Sequence, residues 1–178
     1  MLKNTENSYG SIAKILHWVI GFSIIGLIAV GFLMSSMDPA PEKFELYGVH
    51  KAFGVTVFML IILRILWRFT NKTVQAAEGV PPILQLAAKA GHLLLYIFML
   101  TMPISGLLMS RFGGYDISVF NLFTIPAVAE KNIALAGFFH STHEYAAWGF
   151  VILITTNILA HLYHHSVRKD TTLIRMVK

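Results

Sequence analysis

The chain has 178 residues, of which 56% are hydrophobic and 13% charged, with a net charge of +5. Soluble domains carry about 25% charged residues, so water is excluded as the solvent for most of this surface. Cysteine is absent, which removes disulfides, cysteine-ligated iron–sulfur clusters and the C-x-x-C-H attachment of c-type haem. Any metal must therefore be held by imidazole or oxygen, and any haem non-covalently.

A membrane span needs about 20 mostly apolar residues. Four stretches qualify in chain order: Ile15 to Met34, Gly48 to Phe69, Ala90 to Ser110 and Phe138 to His161. They predict helices over 15–34, 48–69, 90–110 and 138–165, in a single all-α domain over 1–178: an integral membrane four-helix bundle. The first apolar run is longer than the roughly 7–15 residues of a signal-peptide core, and no clear small-residue cleavage site follows it. It therefore reads as a span.

Between the spans, proline and glycine mark the loops. Asp38-Pro39-Ala40-Pro41 breaks the first, Pro81-Pro82 sits in the second, and Gly113-Gly114 opens the third. The third also holds an apolar stretch, Ile117 to Ile125, too short to span and expected to lie along the membrane interface as a lid. One side of the chain collects Lys3, Lys14, Arg64, Arg68, Lys72, Lys89, Arg168, Lys169, Arg175 and Lys178, against Glu6, Glu78 and Asp170. The other side has only Lys43, Lys51, Arg111 and Lys131, set against six acids. The sides net +7 and −2, which by the positive-inside rule predicts both termini in the cytoplasm. Topology and attraction to anionic lipid account for the basic balance; no nucleic acid is needed.

Histidines carry the chemistry. Ionisable groups in apolar helices are costly and usually functional. His50 and His143 fall near the outer ends of the second and fourth spans; His17 and His161 fall near the inner ends of the first and fourth, with His92 nearby. Two imidazoles at one depth on two helices can clamp a planar macrocycle, one on each face, as in b-type haem. His143 and His161 are 18 residues apart, five turns at about 3.6 residues each and about 27 Å of rise, so they share a face at two depths. Two redox centres so stacked make an electron wire. Arg64 lies 14 residues after His50, about four turns on, where it can bind an inner haem propionate or snorkel to headgroups. Gly31 and Gly54 leave room for a ring. His140 reads as solvated. His92 suits an interhelical hydrogen bond or a quinone contact, and His164 and His165 suit the helix C-terminus.

The segments KILHWVIG, VHKAFGVTVFMLIILRILWR, AGHLLLYIFMLTMPISGLLM, DISVFNLFTIPA and HLYHHSVRKDTTLIRM resemble, in order and over most of the chain, the bacterial cytochrome b561 family of di-haem membrane proteins. The resemblance implies two haems b and electron exchange with ubiquinone or menaquinone. It also implies axial ligation by His17, His50 and His143, and a link between His164 and quinone binding. The family usually places its fourth ligand 14 residues after the outer ligand of the last helix; here that residue is Asn157, whose amide ligates haem poorly. His161, one turn on, is predicted to face His17 instead.

The expected function is a haem b electron carrier of the bacterial inner membrane, joining the periplasmic side to the quinone pool. Alternatives are a superoxide:ubiquinone oxidoreductase, a membrane anchor passing electrons to a partner dehydrogenase or a periplasmic donor, and a histidine-lined proton or metal transporter.

Overall fold

A computed structural model describes residues 1–75, 77 and 79–177; Glu78 and Lys178, which enter the charge balance above, lie outside the described residues. The order is α1 (Ser11–Ser36), α2 (Pro41–Phe69), α3 (Pro82–Phe112), β1 (Ile117–Val119), β2 (Phe123–Ile125), α4 (Ile133–Tyr163), one π-helical turn (His164–Arg168) and a short α5 (Ile174–Val177). The protein is mostly helical, and four of its helices are long and apolar enough to cross a membrane.

The helices begin well before the apolar stretches that announce them. Pro41 and Pro82 are the first residues of α2 and α3, not parts of the preceding loops. Proline at the first helical position sacrifices only an N–H that has no partner there, so the same residues that stop one element start the next. Within the spans, hydroxyls bond backwards along their own helix: Thr56 to the Ala52 carbonyl (2.9 Å), Thr142 to Phe138 (2.9 Å) and Thr156 to Ile152 (2.8 Å). Each of these three hydroxyls is thereby paired where water is missing. Large apolar side chains such as Phe22, Leu63, Leu94 and Ile152 are exposed, as a surface dissolved in lipid requires.

The described chain forms two compact units, to each of which every long helix contributes one stretch. The first, here the terminal unit, comprises Met1–Val19, Ile62–Phe98 and Gly149–Lys178; the second, the hairpin unit, comprises Ile20–Ile61 and Met99–Trp148. In the terminal unit the N-terminal segment folds back on the α2–α3 connection. The Asn4 amide donates to the Lys72 carbonyl (3.1 Å), and the Gln75 N–H donates to the Glu6 carbonyl (2.9 Å). In the hairpin unit small residues, Ala52, Ser105, Ser110 and Ala146, are buried, which lets helices approach closely.

The expected interfacial lid is instead an antiparallel hairpin, with Ile117 opposite Ile125 and Val119 opposite Phe123. Its two-residue alternation turns Ile117 and Val119 inward against Val55 and Leu107, burying a face that a flat lid would leave at the interface. The turn holds Phe120 and Asn121 at positive φ (51° and 59°). A bulky residue resists that conformation by roughly 1 kcal/mol; here the Phe120 ring lies edge-on to Phe53, 5.1 Å away.

Candidate functional site

The hairpin unit brings His50 of α2 and His143 of α4 together. Their ring centres are 6.4 Å apart and their planes 79° apart. His143 is firmly oriented: its Nδ1 lies 2.9 Å from the Met102 carbonyl and 3.2 Å from the Ser105 hydroxyl. The carbonyl can only accept, so Nδ1 carries the ring proton and Nε2 keeps its lone pair. The Ser105 hydroxyl is itself held by the Thr101 carbonyl at 2.7 Å. Each ring lies beside a glycine. A methyl group at Gly106 would stand 3.1 Å from His143 Cε1, and one at Gly31 would stand 3.7 Å from His50 Cε1. The buried Nδ1 of His50 has no hydrogen-bond partner among the described residues.

An iron bonded at about 2.0 Å to one nitrogen of each ring, each ring adding its own radius, sets the two centres about 6 Å apart. The pair is therefore spaced so that an iron would fit between its two rings. Among the described residues no group of three or more His, Asp or Glu side chains is placed to hold a metal ion. Bare metal ions usually take three or four protein ligands, whereas a haem iron, already held by its macrocycle, needs only two.

The terminal unit holds the other predicted residues. Arg64 Nη2 lies 3.0 Å from His17 Nδ1. Guanidinium only donates, so this imidazole accepts at Nδ1 and carries its proton on Nε2. His161 and His92 lie within electrostatic reach of His17, as does Arg64. His161 is the reverse of His17: its Nδ1 lies 2.8 Å from the carbonyl of Asn157, which places the proton there and leaves Nε2 free. Asn157 and His161 of α4, and His164 just beyond it, are each half-buried. His92 stands in a groove with Arg68, Lys89 and Tyr96, and His140 and His165 are exposed.

His164 opens the π-helical turn, and its Nδ1 meets Asp170 Oδ2 at 2.5 Å. The contact needs a sharp return of the chain, supplied by Lys169 in the left-handed region (φ 55°), whose N–H reaches the His164 carbonyl. Burial alone would raise the Asp170 carboxyl, but hydrogen bonds from Thr172 and His164 outweigh it and hold it at about 2. Arg168 reaches the same carboxylate at 3.5 Å and donates to the Gly79 carbonyl at 2.6 Å.

Sequence reasoning passed over Met102, Ser105 and Gly106, which together receive His143. The available signal was proline, serine and glycine at 103, 105 and 106, three poor helix formers within one turn of a span. Asp170 carries no signal in the sequence beyond its charge.

Membrane-length helices that bring two imidazoles within 6.4 Å define a class: helical membrane proteins with a histidine pair between two spans. The model of the prokaryotic cytochrome b561 family matches residues 8–178, and the chain belongs to that family. Cytochrome b561 homolog 2 of Escherichia coli K12 is 34% identical, over 98% of this chain and 93% of its own length. A probable superoxide oxidase CybB of Yersinia pestis is 27% identical over 91% of each chain. Cytochrome b561 homolog 1 of Escherichia coli K12 is 28% identical, over 96% of this chain and 97% of its own length. The protein is thus a membrane electron-transfer protein, and its family implies haem b.

Proposed function

We propose that this chain holds two haems b and carries electrons between the periplasmic side and the quinone pool of the bacterial inner membrane, with both termini in the cytoplasm. The observation that carries the reading is the His50–His143 pair, 6.4 Å between ring centres and flanked by Gly31 and Gly106. These two histidines hold the outer haem; His17 and His161 hold the inner one. Bound haem b supplies a one-electron ferric–ferrous couple.

The protein's part is orientation and solvent. The Met102 carbonyl and the Ser105 hydroxyl keep the His143 proton on Nδ1, so that Nε2 always presents its lone pair. The glycines leave room where a side chain would press on a ring. At the inner site the residues fit with one adjustment. His17 ligates through Nε2 only when Arg64 releases Nδ1, and a propionate gives Arg64 a better, bidentate partner. His164, fixed by Asp170, is the residue assigned to the quinone.

The test is a reduced-minus-oxidised spectrum with a haem-to-protein ratio. Two haems per chain are expected in the wild type and one in His50→Ala or His143→Ala. Full haem content in both variants rejects the pair as ligands, and the lack of any Soret band would favour a histidine-lined transporter.

A second reading, superoxide oxidation with quinone as acceptor, draws on Lys51. This residue follows His50 directly, and its ammonium lies over the Tyr115 ring, 5.3 Å from the centroid. A cation beside the outer pair attracts an anion locally, although the segments assigned to that side net −2. Each superoxide would give up one electron and leave as dioxygen, and two such electrons with two protons reduce one quinone. Superoxide-dependent quinone reduction that slows in Lys51→Glu supports this reading; a rate indifferent to that change removes its basis.

A further inference from the structure

Within the terminal unit a cavity of about 390 Å³ opens between the end of α2 and the first half of α3, inside the roughly 300–1,000 Å³ range of small-molecule sites. Its polar lining is strongly one-sided. Arg68 and Lys89 supply two cations, His92 an imidazole and Tyr96 a phenol. Among the described residues no carboxylate pairs with either cation. The Arg68 guanidinium is preset: Nη1 lies 3.4 Å from the Tyr96 hydroxyl, and the group sits 5.3 Å from the centre of that ring. The apolar walls, Ile65 and Leu93, belong to the membrane-spanning helices, and Leu93 is exposed beside the cavity mouth.

We infer that this groove is a binding site for an anionic glycerophospholipid, its phosphate held by Arg68 and Lys89 and its acyl chain laid along Ile65 and Leu93. Three observations converge on that chemistry. The two cations lack a counter-charge, and a phosphodiester supplies one. Tyr96 and His92 add hydrogen-bonding groups to the same lining. Ile65 and Leu93 line the same groove as the cations, which suits a ligand that is charged at one end and hydrocarbon at the other. A basic pocket between membrane helices recognises an acidic headgroup in this way. A quinone head is neutral and would leave both cations uncompensated. A free phosphate would make no use of the wall.

The experiment takes the full chain in its haem-loaded form, stripped of lipid in detergent. It is titrated separately with phosphatidylglycerol, cardiolipin, phosphatidylethanolamine, inorganic phosphate and a short-chain ubiquinone. Bound ligand is read by native mass spectrometry and stability by the unfolding midpoint. Phosphatidylglycerol and cardiolipin should bind and raise the midpoint, and phosphatidylethanolamine should do neither. Lys89→Gln should weaken the anionic lipids at least tenfold and Arg68→Gln/Lys89→Gln should abolish their binding. Arg68→Lys/Lys89→Arg, which keeps both charges, should retain it. The haem spectrum should be the same in all variants. Equal binding of phosphatidylethanolamine, saturation by inorganic phosphate alone, or undiminished anionic-lipid binding in the double Gln variant overturns the assignment. So does a ubiquinone effect that vanishes with the same substitutions.

Discussion

Gly106 is the residue on which the outer pair most depends without touching an electron. A methyl group there already presses on the His143 ring at 3.1 Å; a branched side chain would fill the space the imidazole occupies. Gly106→Val should therefore swing His143 out of line and bring the haem-to-protein ratio down by one. Gly137→Ala, where the added carbon meets nothing within 4 Å, should leave the ratio unchanged. Equal ratios in the two variants would mean that His143 ligates from another rotamer. Arg64 is the corresponding residue of the terminal unit. Its guanidinium lies at the His17 ring, and a cation near a haem favours the more negative reduced state. Arg64→Leu should lower the inner potential by on the order of tens of millivolts, the size of a unit charge at an effective dielectric constant of about 20. An unchanged redox titration would reduce Arg64 to a residue that snorkels.

Among the elements, α4 is decisive. It presents Phe150, Asn157 and His161 along one inward face, and the imidazole of His161 is braced on its own helix by the carbonyl of Asn157. His161→Ala should abolish the inner haem, whereas Asn157→Ala should leave it low-spin, because the brace is a backbone atom that the substitution keeps. Loss of that haem in His92→Ala but not in His161→Ala would transfer the role to α3. The spans and their imidazoles were legible in the sequence because apolar length and misplaced polarity are local signals. The hairpin was not: its turn uses Phe120 and Asn121 at positive φ where a glycine would have announced it, and only its packing against Val55 and Phe53 explains why that is tolerated. The same holds for the Met102–Ser105–Gly106 receptacle, which has meaning only once another helix delivers a ring to it. Helix starts were misplaced because Glu42 and Lys43 follow Pro41, and Gln85 and Lys89 interrupt the apolar residues that follow Pro82.

For the whole molecule, the absence of cysteine offers a clean test of orientation, since a single introduced thiol is the only one present. Asn7 and Glu130 are both exposed. With the termini in the cytoplasm, an impermeant maleimide should label Glu130→Cys in right-side-out spheroplasts and Asn7→Cys only after permeabilisation. The opposite pattern would invert the direction of every transfer proposed above.

The tail beyond α4 is fastened by several independent ties: Asp170 to His164, Arg168 to the Gly79 carbonyl, Arg175 to the Gln75 carbonyl at 3.0 Å, and the Trp18 indole to the Met176 carbonyl at 3.0 Å. The carboxylate decides how this fastening meets acid. A group whose folded value is depressed stabilises fully above its unfolded value, near 3.8, and loses that contribution as pH falls through the folded value, about 2. Asp170→Asn should therefore lower the unfolding midpoint at pH 7, and the gap from wild type should close only near pH 2. A gap that closes by pH 5 would place the stabilising ion pair elsewhere. For a cell, this means that the Asp170 carboxylate does not answer to mild acid. Surroundings sour enough to protonate most surface carboxylates would still leave Asp170 charged and holding Thr172.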